Sequence, residues 1–292
     1  DCIGVYVEGF NDLDGLAFLD AVEEAVGDGK VVVFYKAGRT KAGRDAAQGH
    51  TASLAGDYDL CQAAVAAAGG IVTDTFKEFE QLLELATDLH HKDVDGKRIG
   101  AMSNAGYEAV GMADAVKGAR YELEMPTLTS STRERLQQAL EKHGLQGLVD
   151  AKNPLDLTPM ANDEAYEDCI RPMLEADEVD ALIVGCVPMT PSLLTTTAEI
   201  SCPDSLVVRI PKLFAQYAKP LAFVVDCAGP YDAFARAVRA SGVPVFRTAD
   251  QAIRSVGRYI DFRSAHRFKK RQHSLRQRDP LILGTELESQ LT

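Results

Sequence analysis

The chain has 292 residues, enough for one large or two modest domains, each with a core of its own. Hydrophobic residues make up 46% of it and charged residues 25%, the balance of a compact globular protein, which excludes disordered and fibrous classes. The formal net charge of −12 repels polyanions, so nucleic acid and anionic membrane are not expected partners, although a small anion could still bind locally.

Six cysteines (Cys2, Cys61, Cys169, Cys186, Cys202, Cys227) are scattered, and none forms a CxxC pair or a Cys/His cluster with zinc-ligand spacing. No disulfide framework and no metal site is expected. The adjacent His90 and His91 point about 100° apart on a helix and do not chelate together. No stretch approaches the roughly 18 consecutive apolar residues of a membrane helix, and no secretory signal opens the chain. A cytoplasmic protein is expected.

In chain order, residues 2–8 read as a buried strand, 13–26 as a helix and 31–35 as a second strand, followed by a long polar loop over 36–56. Helical spacing resumes over 57–68, a short strand covers 71–73, and 76–89 is helical again. The charged segment 90–97 has no apolar periodicity, which places a domain boundary there, with one domain over 1–95 and a second over 96–263. Strands over 98–102, 181–186, 221–225 and 243–246 alternate with helices over 108–117, 131–143, 165–175, 206–217, 233–240 and 249–260. This alternation means parallel α/β. The first unit offers only three strands, and an apolar strand begins at once after Asp1, so the chain is expected to start inside a domain. Residues 264–292 read as a basic, polar, solvated tail.

The segment 36–56, KAGRTKAGRDAAQGHTASLAG, is too rich in Gly, Ala and small polar residues to build a core. It holds His50 between Gly49 and Thr51, where backbone amides can approach an anion closely, and Lys36, Arg39, Lys41 and Arg44 lie just upstream. These residues point to phosphate handling. The same run, through its KAGRT stem and GHTASLAG core, resembles the phosphohistidine loop of NDP-forming acyl-CoA synthetases of the succinyl-CoA ligase-like kind. Three further segments are similar to that family: Val5-Tyr6-Val7-Glu8-Gly9, Met102-Ser103-Asn104-Ala105-Gly106 and Asn153-Pro154-Leu155-Asp156-Leu157-Thr158. The resemblance covers nearly all of residues 1–263.

The resemblance implies two consecutive flavodoxin-like, succinyl-CoA synthetase-like domains, the first incomplete at its N-terminus. It makes His50 the nucleophile that carries phosphate and Glu8 the carboxylate that steadies it. A carboxylate bound to one ring nitrogen fixes the tautomer and leaves the other nitrogen free to attack phosphorus. Gly49 and Thr51, together with Ser103, Asn104, Ala105 and Gly106 at the second domain's strand-to-helix turn, become phosphate-binding residues, since a helix N-terminus favours an anion. Tyr107 replaces a glycine frequent in the family, which puts close phosphate approach at that turn in doubt. Asn153 and Asp156 become loop supports.

By the same resemblance the reaction is acyl-CoA plus ADP plus phosphate to acid plus CoA plus ATP, reversibly. CoA and ADP or ATP with magnesium are then substrates, and no cofactor is permanently bound. The implied partners are a CoA-binding domain, an ATP-grasp domain or subunit and a small acyl substrate, in an oligomer. No GxGxxG fingerprint opens the chain, so the isolated chain is expected to be incomplete and inactive. The rival expectation is a non-catalytic module of the same fold that senses acyl-CoA or nucleotide.

Overall fold

The computed structural model describes residues 1–11, 13–50 and 57–278, and the side chains of these except for 48–50 and 266–278. The chain forms two compact units. One comprises Asp1–Leu83 together with the chain from Phe262 onward, and the other Glu84–Asp261. The division thus falls at 83/84, inside a helix, where the sequence placed it at 95/96.

The first unit is a three-stranded parallel sheet of β1 (Cys2–Val7), β2 (Val31–Lys36) and β3 (Ile71–Thr73), in the order β1-β2-β3. Its central strand VVVFYK is buried along nearly all its length because helices cover both faces, so it reads as a continuous apolar run. Helices α1 (Asp14–Gly27), α2 (Lys41–His50), α3 (Tyr58–Ala68) and α4 (Phe76–Leu89) follow the strands. On one face α1 and α3 place Val22, Val26, Val65 and Ala68 against Val32, Phe34 and Val72. On the other face Leu83 and Phe79 of α4 approach Gly4 so closely that a Cβ there would lie 2.8 Å from Leu83 Cδ2. Glycine admits that contact.

Residues 41–50 are a correction to the sequence reading: they form α2 and not a loop. Thr40 caps this helix, its Oγ1 accepting from Gly43 N at 3.1 Å. Gly38, at φ 85°, makes the left-handed turn between β2 and the cap. The helix is exposed along most of its described length, so no apolar stripe announced it.

The second unit is a five-stranded parallel sheet in the order β10-β9-β8-β4-β7. Its strands are β4 (Ile99–Ser103), β7 (Leu155–Asp156), β8 (Ala181–Cys186), β9 (Leu221–Val225) and β10 (Val245–Phe246). A small antiparallel pair, β5 (Lys117–Gly118) and β6 (Tyr121–Glu122), lies outside it. The helices are α5 (Gly106–Asp114), α6 (Ser130–Lys142), α7 (Asp163–Glu175), α8 (Leu206–Gln216) and α9 (Asp232–Ala240), and α10 (Ala249–Arg278) begins in this unit and continues past its last residue, Asp261. Strands β4, β8 and β9 are buried throughout. Helix α10 runs well past residue 260, into the segment read as a tail. Among the described residues no helix is long and apolar enough to cross a membrane.

Candidate functional site

In the first unit, parallel pairing of β1 with β2 brings Val7 opposite Lys36 and delivers Glu8 just beyond the C-terminal end of β1. In open parallel sheets that end is where ligands gather. Two side chains fasten Glu8. Lys36, only 2% exposed, turns its ammonium inward and donates to the Glu8 carbonyl at 2.6 Å and to the Ala37 carbonyl at 2.8 Å. Burial pushes the Lys36 pKa down, opposed by nearby Cys61 and Glu8. The Tyr6 hydroxyl donates to Glu8 Oε1 at 3.0 Å. Tyr6 is itself held in a stack: its ring centroid lies 5.9 Å from Tyr35 and 6.0 Å from Phe76, and those two lie 4.4 Å apart.

Of the cations expected to face an anion, Lys36 is instead a buried tie between strand ends, and Lys41 pairs with Asp45 at 2.9 Å on the exposed face of α2. Arg44 donates to the Arg39 carbonyl at 3.3 Å. His50 ends α2 directly after Gly49, and the His50 side chain lies outside the described residues, as does Thr51 altogether. The expected Glu8–His50 contact therefore falls outside them too.

In the second unit, β4 runs into α5 through Ser103, Asn104 and Ala105, with Ala105 extended at φ −134° as the residue before the helix. The side chains of Ser103 and Asn104 are buried and committed internally. Ser103 Oγ donates to Glu108 Oε2 at 2.5 Å and accepts from Ala105 N at 3.1 Å. Asn104 donates to the Val187 carbonyl at 3.0 Å and accepts from Val187 N at 2.8 Å, pinning the turn to the chain after β8. What this turn can offer an anion is therefore backbone, the amides at Gly106 and Tyr107 in the first turn of α5.

A cleft of about 240 Å³ opens there, lined among others by Asn104, Gly106, Asp156, Thr158 and Met189. Tyr107 does not cap it. Its hydroxyl donates to Asp226 Oδ2 at 2.8 Å, which draws the ring toward β9, whereas Asp156 lies on the β7 side of β4. Asp156 Oδ1 accepts from Thr158 N at 3.0 Å, and a Cβ at position 106 would lie 2.8 Å from Asp156 Oδ2. Asn153 holds the neighbouring segment as a strand substitute: it accepts from Ala101 N and donates to the Ile99 carbonyl, both at 2.9 Å. The segment expected to be a loop thus carries β7, paired with β4 at Met102↔Leu155 and Ser103↔Asp156.

Residue-type reasoning missed Glu108 and Asp226. Glu108 is 2% exposed, its Oε1 has no hydrogen-bond partner among the described residues, and burial raises its pKa to about 7 against the lowering pull of Ser103. A lone glutamate early in a helix carries no signal of this, because its environment is made by Gly185, where a Cβ would stand 2.0 Å from Glu108 Oε2. Elsewhere, His143, Glu164 and Asp168 gather their ligand atoms, with Lys142 Nζ at 2.7 Å from both carboxylates. The chain's own cation thus serves them.

The model of the succinyl-CoA ligase-like flavodoxin domain matches residues 1–86, and the parallel α/β architecture is consistent with that fold. The chain is a relative of the ADP-forming acyl-CoA synthetases. It is 32% identical over 195 residues to acetate–CoA ligase (ADP-forming) II subunit alpha of Pyrococcus furiosus, covering 67% of this chain and 40% of that protein. To trans-feruloyl-CoA synthase of an unknown prokaryotic organism it is 25% identical over 291 residues, covering 96% of this chain and 37% of that protein. Among solved structures it superposes with a TM-score of 0.75, at 22% identity, on the dinucleotide-forming acetyl-coenzyme A synthetase 1 of Ca. Korarchaeum cryptofilum in complex with phosphate and ADP. That match covers 93% of this chain and 55% of the other, and shows the common fold. The chain therefore spans about 40% of the length of the curated relatives named here.

Proposed function

We propose that this chain supplies the phosphohistidine part of an ADP-forming acid–CoA ligase. A neutral ring nitrogen of His50 attacks the phosphorus of an acyl phosphate. The P–N bond forms as the bond from phosphorus to the acyl oxygen breaks, and the acid leaves as its carboxylate. The phosphoryl group then passes from the ring to the terminal oxygen of ADP, giving ATP. CoA, the nucleotide with its magnesium and a small acyl group are substrates in this reading, and CoA-binding and ATP-grasp domains or subunits are the partners. Glu8 orients the ring, and the backbone amides at Gly106 and Tyr107 offer phosphate a helix N-terminus.

The observation that supports this most is Glu8, presented at the end of β1 with its carboxylate held by Tyr6 and its backbone carbonyl by Lys36, in the same unit whose sequence carries GHTASLAG. The test is to incubate the complete ligase containing this chain with ATP and magnesium and to look for acid-labile, base-stable phosphate on His50. Labelling that survives His50→Ala sinks the assignment. The inward commitment of Ser103 and Asn104 favours a second reading, a module that keeps the fold and senses acyl-CoA or nucleotide without turnover. Ligand binding with no phosphate ever found on His50 is its signature.

A further inference from the structure

We propose that Tyr6 is a positioning residue for Glu8, an inference that rests on the phosphohistidine reading and extends it. The Tyr6 hydroxyl donates to one carboxylate oxygen, Glu8 Oε1, at 3.0 Å. A carboxylate held at one oxygen presents the other in a fixed direction, and a fixed direction is what the orienting partner of a phosphorylated imidazole needs. A half-buried carboxylate at a strand end otherwise samples several rotamers and must lose that freedom at each turnover.

The anchor is itself rigid. Tyr6 is 48% exposed, yet its ring lies nearly parallel to Tyr35 (interplanar angle 10°) and Phe76 (17°), so the stack fixes the phenol that the carboxylate then reads. Register supplies the geometry: Tyr6 pairs with Tyr35 across β1 and β2 and therefore stands on the same sheet face, two residues before Glu8. The Lys36 ammonium fixes the other end of the same residue through the Glu8 carbonyl. Burial, reinforced by the Glu8 carboxylate, holds the Tyr6 pKa above its ordinary value, so the phenol remains a donor throughout the neutral range. The chain thus fixes Glu8 by its backbone and by its side chain independently.

Tyr6→Phe separates this role from packing, because it keeps the three-ring stack and removes only the donor. In the complete ligase, with acetyl phosphate labelled in its phosphoryl group as the probe, Tyr6→Phe is expected to slow labelling of His50 about tenfold. The KM for acetyl phosphate and the melting temperature are expected to stay at wild-type values, whereas Tyr6→Leu, which breaks the stack, lowers the melting temperature as well. Wild-type labelling in Tyr6→Phe overturns the positioning role and leaves the phosphohistidine reading intact. Slower labelling together with a lower melting temperature in Tyr6→Phe also overturns it, since the hydroxyl would then be structural. A wild-type protein that never labels at His50 overturns both.

Discussion

Ser103 and Glu108 face each other inside the strand-to-helix turn, the serine hydroxyl donating to Glu108 Oε2 at 2.5 Å with both side chains buried. The pair brackets in sequence the Gly106 and Tyr107 amides proposed to receive phosphate. An ionised Glu108 would place a negative charge where the helix N-terminus should attract an anion, and burial lessens the conflict by raising the pKa to about 7.

That shift has a definite sign in stability. The folded pKa of about 7 lies above the ordinary 4.5, so between these values the folded state holds a proton that the unfolded state has lost. The stability this gives is fully present below pH 4.5 and is lost as the pH rises through 7. Glu108→Gln keeps an acceptor for Ser103 without the charge. It should therefore be more stable than wild type at pH 8 by about 2–3 kcal/mol, an advantage that fades toward pH 5. Denaturant midpoints of both proteins across that range check this, and parallel profiles would count against a buried titrating Glu108.

Lys36→Met tests the buried tie in the first unit. Methionine fills a similar volume, but the Glu8 and Ala37 carbonyls lose their shared donor, which outweighs the relief of no longer burying an ammonium. A loss of about 2 kcal/mol is expected, read as a lower urea midpoint with unchanged slope. A variant as stable as wild type would show that water replaces the ammonium at both carbonyls.

Asn153→Ala removes three backbone bonds at once: from Ala101 N, to the Ile99 carbonyl and to the Pro126 carbonyl at 3.2 Å. Because Asn153 stands in for strand pairing beside β4, the expected cost is about 3 kcal/mol, large for one side chain. Hydrogen exchange should localise the damage: the Ala101 amide loses protection while amides of β9 keep theirs. Uniform loss across the sheet would argue against a local role.

The amino-acid pattern was most informative where burial is two-sided. Strands β3, β8 and β9 are continuous apolar runs between turns, and their predicted bounds coincide with those observed. Helix α2 escaped because KAGRDAAQGH has no apolar face, and its start depends on the single Thr40 cap. Strand β7 escaped because its two residues follow Pro154 and owe their place to Asn153, a partner more than 50 residues from β4. The site divides in the same way. Glu8 and the small-residue run are local in sequence and could be read there. The inward turn of Lys36 and the raised pKa of Glu108 depend on strand register and on Gly185, which only the folded sheet brings together.

Gly106→Ala probes the second unit's cleft. The added methyl group meets Asp156 Oδ2 at 2.8 Å, and Asp156 cannot retreat without loosening its bond to Thr158 N. Thr158 depends on that bond, because it holds a left-handed φ of 61°, which is costly for a residue with a branched β-carbon. Stability should fall by about 1 kcal/mol, and the cleft above the α5 amides should narrow. Inorganic phosphate in excess should raise the melting temperature of wild type and raise that of Gly106→Ala less, since stabilisation by a ligand follows its affinity for the folded state. Equal protection of the two proteins would place phosphate somewhere other than the N-terminus of α5.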